Sequence, residues 1–375
     1  MANENMPKIP MSQVRDYIVA TINNGGFPFL HGPSGCGKTQ SIEQAAKSEA
    51  ERLKLTYWTT GMTRPDLPWQ ELFFLSILPA HGLDMMDIKG GGAIDKNGPE
   101  WTTKYARPEL LPSREDGAVI WMNIDEVSQS LASTINALRP LVLTGVTSNY
   151  VIPPGTKILA TGNRPSDKAN TTGNLGGHFY QVFDHVECIP DKEGFIQWLI
   201  NTHGMGDGFI PAFLRFSKDD VFFNYDAKKN GIVFSTSRKL TQVHNLRNTM
   251  PYSDLRDIMV ASKVGSEVQV AMNAYDAMRS ELTSFSSIVA SPTEAKIPDC
   301  SLGDGALGAT YAIISMAAAS VTVENVEAVC VYINRLDRGF GSTFVGDVIA
   351  NPKTKAVVST KAFSTLRIDL GDMIQ

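Results

Sequence analysis

As a pattern of apolar and polar positions, residues 1 to about 190 alternate short apolar runs with amphipathic stretches, the pattern of strands and helices in turn. Val14 to Ile22 has helical spacing and is stopped by Asn23-Asn24-Gly25-Gly26. Phe27 to Leu30 reads as a strand, Ser41 to Leu53 as a helix rich in Ala, Glu and Lys, and Leu55 to Thr59 as a second strand. Leu72 to Leu78 reads as a short apolar helix. Ala118 to Ile124 is apolar enough for a central parallel strand covered on both faces. Leu131 to Leu143 is helical, Asn149 to Gly155 reads as an edge segment, and Lys157 to Thr161 is the next buried strand.

From about Lys192 the spacing becomes helical. Phe195 to Asn201, Ile210 to Phe216, Arg238 to Leu246 and Ser253 to Glu281 read as helices, with more between Asp304 and Asn351. Thr354 to Asp369, rich in Val, Thr and Phe, reads as a terminal hairpin. Ile88 to Pro112 stands apart: Gly90-Gly91-Gly92 and Lys96-Asn97-Gly98 are turn chemistry, with Trp101 and Tyr105 between them and Pro108. The Asn97-Gly98 pair predicts a β-hairpin projecting from the core, the alternative being an unstructured glycine loop.

Composition adds bounds. The 375 residues suffice for two or three domains, and 43% hydrophobic with 19% charged residues is ordinary for a globular protein. A net charge of −5 gives no sign of a broadly basic, nucleic-acid-binding surface. Cys36, Cys188, Cys300 and Cys330 are scattered, form no metal-type pair and fit a reducing, cytoplasmic setting. No apolar run reaches the roughly 18 residues of a membrane span, and the N-terminus lacks the apolar core of a signal peptide. Ala306 to Ala319, interrupted by Thr310 and Ser315, reads as a buried helix.

Candidate chemistry concentrates at three strand ends. His31-Gly32-Pro33-Ser34-Gly35-Cys36-Gly37-Lys38-Thr39, followed by Gln40, is a phosphate-binding loop between a strand and a helix. Its glycines let backbone N–H groups wrap a triphosphate at a helix N-terminus. Lys38 would reach the β- and γ-phosphates, and the Thr39 hydroxyl would hold Mg²⁺. Ile120 to Ile124 leads into Asp125-Glu126; alternation sends the two carboxylates to different sides, so Asp125 can serve Mg²⁺ and Glu126 an attacking water. The alternative for Asp125 is a helix cap, and for Asn163, at the tip of the next strand, an ordinary turn residue. In its favoured role Asn163 would bond both the water and the γ-phosphate.

Together with Ser235-Thr236-Ser237-Arg238, these motifs resemble an AAA+ ATPase, and longer stretches resemble its MoxR branch. Those stretches are Arg64 to Pro68, Trp101 with Arg107 to Pro112, Asn136 to Leu143, Val151 to Gly155, Ala160 to Arg164, Ala212 to Phe216 and Tyr332 to Leu336. The resemblance covers residues 14 to about 350. It implies an α/β fold: an αβα core with a parallel sheet and inserted β-hairpins, followed by a helical lid. The expected division is a nucleotide-binding core over 1–190, a lid over 191–290, a C-terminal helical region over 291–351 and a terminal extension over 352–375. The resemblance also implies a second hairpin at Val146 to Pro153, ATP with Mg²⁺ as cofactors, and a homo-oligomeric, usually hexameric, ring. Arg238 would be the lid arginine that senses the γ-phosphate; its plain alternative is a surface residue at a helix start. A partner with a von Willebrand factor A domain is implied as well.

The chain departs from that pattern at Gln181-Val182-Phe183, where the family's arginine finger position holds Val182. Such a finger can supply a factor of about 10³ to 10⁵ in turnover. Arg139 and Arg164 are candidate substitutes, and a slowly hydrolysing assembly scaffold is one alternative function. A DNA-handling motor is another. It is disfavoured because Lys89, Lys96, Lys104 and Arg107 of the long hairpin are nearly balanced by Asp95, Glu100 and Glu109.

Overall fold

The apolar runs of the first half lie side by side in one parallel sheet. A computed structural model describes residues 6–97, 100–112, 117–148, 150–164, 167, 179, 181–226, 232–299 and 303–371. The chain divides into two compact units, one of residues 1–189 with 226–230 and one of residues 190–225 with 231–375.

In the first unit the strands are β1 (Lys8–Pro10), β2 (Pro28–His31), β3 (Thr56–Thr59), β4 (Leu72–Pro79), β5 (Gly92–Asn97), β6 (Glu100–Tyr105), β7 (Val119–Asp125), β8 (Val146–Thr147), β9 (Tyr150–Val151), β10 (Lys157–Gly162) and β11 (Asp184–Ile189). Seven of them form the main sheet in the order β1-β11-β2-β10-β7-β4-β3, with every neighbouring pair parallel. Helices α1 (Met11–Asn23) and α2 (Lys38–Leu53) cover one face, burying Val14, Ile18, Ile42 and Ala46 against Leu30, Leu75, Trp121 and Leu159. The other face packs Phe29, Met122, Ile124 and Ala160 beneath α3 (Met85–Lys89) and α4 (Ala132–Thr144), which contribute Ile88, Leu138 and Leu141. This is an αβα sandwich, and the apolar character of its central strands follows from their being covered twice.

Residues 72–78, expected as a helix, form β4. The strand lies between β3 and β7, in register from Phe73 opposite Val119 to Pro79 opposite Asp125. A strand buried on both faces shows a continuous apolar run, which periodicity cannot tell from a short buried helix.

Both hairpins are present. β5 and β6 pair antiparallel from Gly92 opposite Tyr105 to Asn97 opposite Glu100; Gly98 of the expected turn lies outside the described residues. Alternation gives the ribbon two characters. One face carries Ile94 and Trp101, 74% and 67% exposed, with the Lys96 ammonium 5.2 Å from the Trp101 ring centre. The other carries the Lys104–Asp95 ion pair. β8 and β9 form the short second hairpin, pairing Val146 with Val151.

The second unit is helical, with a single core drawn from Phe195 through Tyr332 and Phe344 to Leu370. Its longest helices span Lys192–His203, Ser237–Thr249, Asp254–Val264, Ser266–Ser280, Asp304–Ser320 and Arg338–Ala350. Gly265, at φ +93°, divides what the sequence suggests is one helix from 253 to 281. The expected terminal hairpin is helical instead: Lys361–Leu370 sends Phe363, Leu366 and Leu370 into the core at helical spacing, and this packing overrides the strand propensity of Val and Thr. Arg215 is bound to the wholly buried Asp347 at 2.7 Å and to Glu193 at 2.6 Å, so the buried carboxylate has a bidentate partner. Among the described residues no helix is long and apolar enough to cross a membrane.

The neck of the long hairpin supplies a test. Gly90 has φ +82°, and a Cβ there would run into the Ala106 carbonyl, whereas Gly91 has open space around it. Gly90→Ala should lower unfolding stability by at least about 1–2 kcal/mol, from the left-handed backbone alone. Gly91→Ala should stay within about 0.5 kcal/mol of wild type. Urea titrations of the two variants make the comparison.

Candidate nucleotide site

The site is built from the carboxyl ends of adjacent parallel strands, where ligands bind in open α/β sheets. β2 runs out at His31, and the chain turns through Gly32-Pro33-Ser34-Gly35-Cys36-Gly37 into α2. Gly35 at φ +77° and Gly37 at φ +113° take conformations that a side chain would oppose. Gly32 N–H donates to the Gly162 carbonyl at 3.2 Å, fastening the loop to β10. The Lys38 ammonium donates to the loop's own carbonyls, Gly32 at 2.7 Å and Pro33 at 3.0 Å, and so lies across the loop. Gln40 is exposed in the first turn of α2.

β7 delivers the carboxylates. The Thr39 hydroxyl donates to Asp125 Oδ1 at 3.0 Å, and the Thr161 hydroxyl of β10 donates to the same oxygen. Glu126 N–H donates to Thr161 Oγ1 at 3.1 Å. Glu126 itself has φ +56°, uncommon for a residue with a side chain and costing about 1–2 kcal/mol. That kink turns its carboxylate away from Asp125's position and out to solvent, where Oε2 lies 3.0 Å from His81 Nδ1. Asn163 follows the end of β10, with its N–H donating to Ser128 Oγ at 2.8 Å, so the turn after Glu126 and the tip of the next strand are joined.

Lys38, Thr39, Asp125, Glu126 and Asn163 therefore come together in the first unit. Arg238 belongs to the second unit, in the first turn of Ser237–Thr249, where Thr236 Oγ1 accepts from Lys239 N–H at 3.4 Å. Val182 is half-buried against the cluster of Phe29, Phe179 and Phe183. Of its candidate substitutes, Arg164 is bound to Asp167 at 2.7 Å and lies 3.7 Å from Glu187, within its own unit. Arg139 is exposed on α4.

Sequence reasoning missed Thr161, Ser128 and His81. Thr161 lies inside a stretch already singled out, and a hydroxyl beside a strand-end carboxylate is the signal that could have found it. His81 sits in a short turn after β4, and only the register of β4 with β7 brings it to Glu126.

Beneath the loop lies a histidine pair: His31 Nε2 is 2.8 Å from His185 Nδ1, and the His31 ring stacks on Phe29 at 4.1 Å. Burial, with the neighbouring His185, pushes the His31 pKa down to about 3.

A divalent cation fits at the ends of β2 and β7. Thr39 and Asp125 offer a hydroxyl and a carboxylate oxygen already within hydrogen-bonding distance, the hard donors Mg²⁺ takes alongside water and phosphate. A parallel αβα sheet with a glycine loop between strand and helix, and Thr and Asp meeting at the strand ends, defines the phosphate-loop class of nucleotide-site architecture. No protein-family model and no curated protein matches the chain. Among solved structures it is similar to NtrX from Brucella abortus, with a TM-score of 0.39 and 14% identity over 96% of this chain and 67% of that one. A second structure of that NtrX, in complex with ADP, gives 0.39 and 14% over 96% and 68%. A mutant RuvB from Thermotoga maritima gives 0.36 and 12% over 76% and 75%.

His31 makes the unit acid-sensitive, and the sign follows from linkage. The unfolded chain protonates this histidine below about pH 6.5, while the folded chain resists until about pH 3. Stability present above pH 6.5 is therefore lost as pH falls through that window, by about 2 kcal/mol at pH 5. His244 in the second unit, pushed by burial to about 4, acts in the same direction. Urea midpoints should fall between pH 7 and pH 5, and His31→Gln should shrink that fall; an identical fall in the variant would remove His31 from the account.

Proposed function

We propose that the chain binds ATP with Mg²⁺ through Gly32 to Gln40 and hydrolyses it, as an AAA+ ATPase of the MoxR type that remodels a protein partner. The observation that supports this most is the meeting of Lys38, Thr39, Asp125, Glu126 and Asn163 at the ends of β2, β7 and β10. The phosphates would take the Lys38 ammonium from the Gly32 and Pro33 carbonyls. Thr39 and Asp125 would hold Mg²⁺, which neutralises phosphate charge when bound. Glu126 accepts a proton from the water that attacks the γ-phosphorus, the bond from that phosphorus to the bridging oxygen breaks, and ADP leaves with that oxygen. Asn163 orients the water. His81 must release Glu126 for this step, since the carboxylate oxygen it engages is not free to take the water's proton.

Arg238 is assigned to sensing the γ-phosphate from the helical unit. Assembly as a homo-hexameric ring and a partner with a von Willebrand factor A domain, both resting on the family resemblance, complete the reading, with a cytoplasmic setting that rests on the scattered cysteines. The balanced charge of the long hairpin keeps a nucleic-acid partner disfavoured. Val182, packed in an apolar cluster, and Arg164, tied to Asp167 and Glu187, favour one second reading: an ATP-dependent assembly scaffold with slow turnover.

Steady-state ATP turnover tests the assignment. Glu126→Gln should bind ATP as wild type does and turn it over at least about 100-fold more slowly. Lys38→Ala should lose both binding and turnover. Wild-type turnover no faster than that of Glu126→Gln would favour the scaffold reading, and undiminished ATP binding by Lys38→Ala would overturn the site.

A further inference from the structure

Gly32 opens the phosphate loop directly beside β11. The register that sets Val186 against Leu30 and Glu187 against His31 brings Cys188 next to it. A Cβ on residue 32 would stand 3.2 Å from the Cys36 sulfur and 3.3 Å from the Cys188 Cβ, so both cysteines close on one point of the loop. Both are free and buried, while Ser34 in the same loop is exposed. Arg164 acts electrostatically on Cys36 and Lys38 on Cys188, so both cations stand close to the pair. Cys36 lies in the loop itself, two residues from exposed Ser34, so it meets the oxidant first, and the wholly buried Cys188 on β11 resolves the product.

We propose that Cys36 and Cys188 form a reversible disulfide on exposure to hydrogen peroxide, and that this bond withdraws the phosphate loop from nucleotide binding. The Cys36 thiolate attacks one peroxide oxygen and the O–O bond breaks, giving a sulfenic acid and hydroxide, which takes a proton to become water. The Cys188 sulfur then attacks the Cys36 sulfur; the S–O bond breaks, and the departing hydroxide leaves as water with the Cys188 proton. Two thiols have given two electrons to one peroxide. The new bond draws Cys36 against β11 beside Gly32, whose carbonyl receives Lys38, and the loop N–H groups lose their common direction. The effect on nucleotide rests on the ATP-site reading above, whereas formation of the bond does not.

The test treats the reduced full-length protein with hydrogen peroxide, blocks remaining thiols and analyses a non-reduced digest by mass spectrometry. The expected result is a linked Cys36–Cys188 peptide, two hydrogens lighter than its parts and lost on treatment with dithiothreitol. ATP binding by the oxidised protein should weaken at least about tenfold, as expected for a loop whose N–H groups no longer converge, and return with reductant. Cys188→Ser should bind ATP as reduced wild type does and keep that affinity after a brief peroxide exposure. Absence of the linked peptide in wild type overturns the proposal, and so does a linked protein that binds ATP undiminished. Failure of the reduced protein to bind ATP would instead overturn the nucleotide-site reading, and the linked peptide would still decide the thiol pair.

Discussion

The site depends on how Asp125 is held. One oxygen of this carboxylate accepts hydrogen bonds from Thr39, at the start of the helix after the loop, and from Thr161, on the neighbouring strand. Three elements that are distant in sequence are therefore fixed by a single side chain. Thr161 reaches in the other direction as well, accepting from the Glu126 N–H and so steadying a backbone in the left-handed region. The strain at Glu126 persists because its surroundings determine it, a pattern associated with functional sites. Parallel pairing makes this possible: β2, β10 and β7 end at the same edge, so short side chains suffice to connect them.

Much of that arrangement was legible in the sequence, for physical reasons. A loop with glycines at positions needing positive φ, set between an apolar run and a helical one, has few other uses. A central parallel strand must be apolar throughout, so Asp125-Glu126 marks the strand's end, and the turn chemistry around Asn97 signals a hairpin whose strands pair as far as Asn97 opposite Glu100. Elements whose character is fixed by tertiary cover were misread. β4 is as apolar as a buried helix because it is covered twice, and only its pairing with β3 and β7 decides its form. The final helix contains Phe363, Leu366 and Leu370 at helical spacing, yet its threonines and valine-rich neighbourhood suggested a strand. His81 was invisible because nothing local connects it to Glu126; their meeting depends on the register of β4.

The floor of the loop is as specialised as its mouth. His31 and His185 share a hydrogen bond beside the first loop residue, and Cys36 and Cys188 both close on Gly32. β11 contributes one member to each pair and buries no catalytic group of its own. The helical unit has a different economy: its buried ion pair, Arg215 with Asp347, sits within a core running from Phe195 to Leu370. Removing one partner of such a pair leaves an uncompensated charge, at a cost of about 3–5 kcal/mol.

In the proposed site, Thr39 and Asp125 form the metal-dependent half. Calorimetric titration of ATP into wild type and Asp125→Asn, each with Mg²⁺ and with chelator, tests it most directly. The account predicts that Mg²⁺ strengthens ATP binding in wild type and that this gain largely disappears in Asp125→Asn. An equal gain in both proteins, or none in wild type, would contradict it.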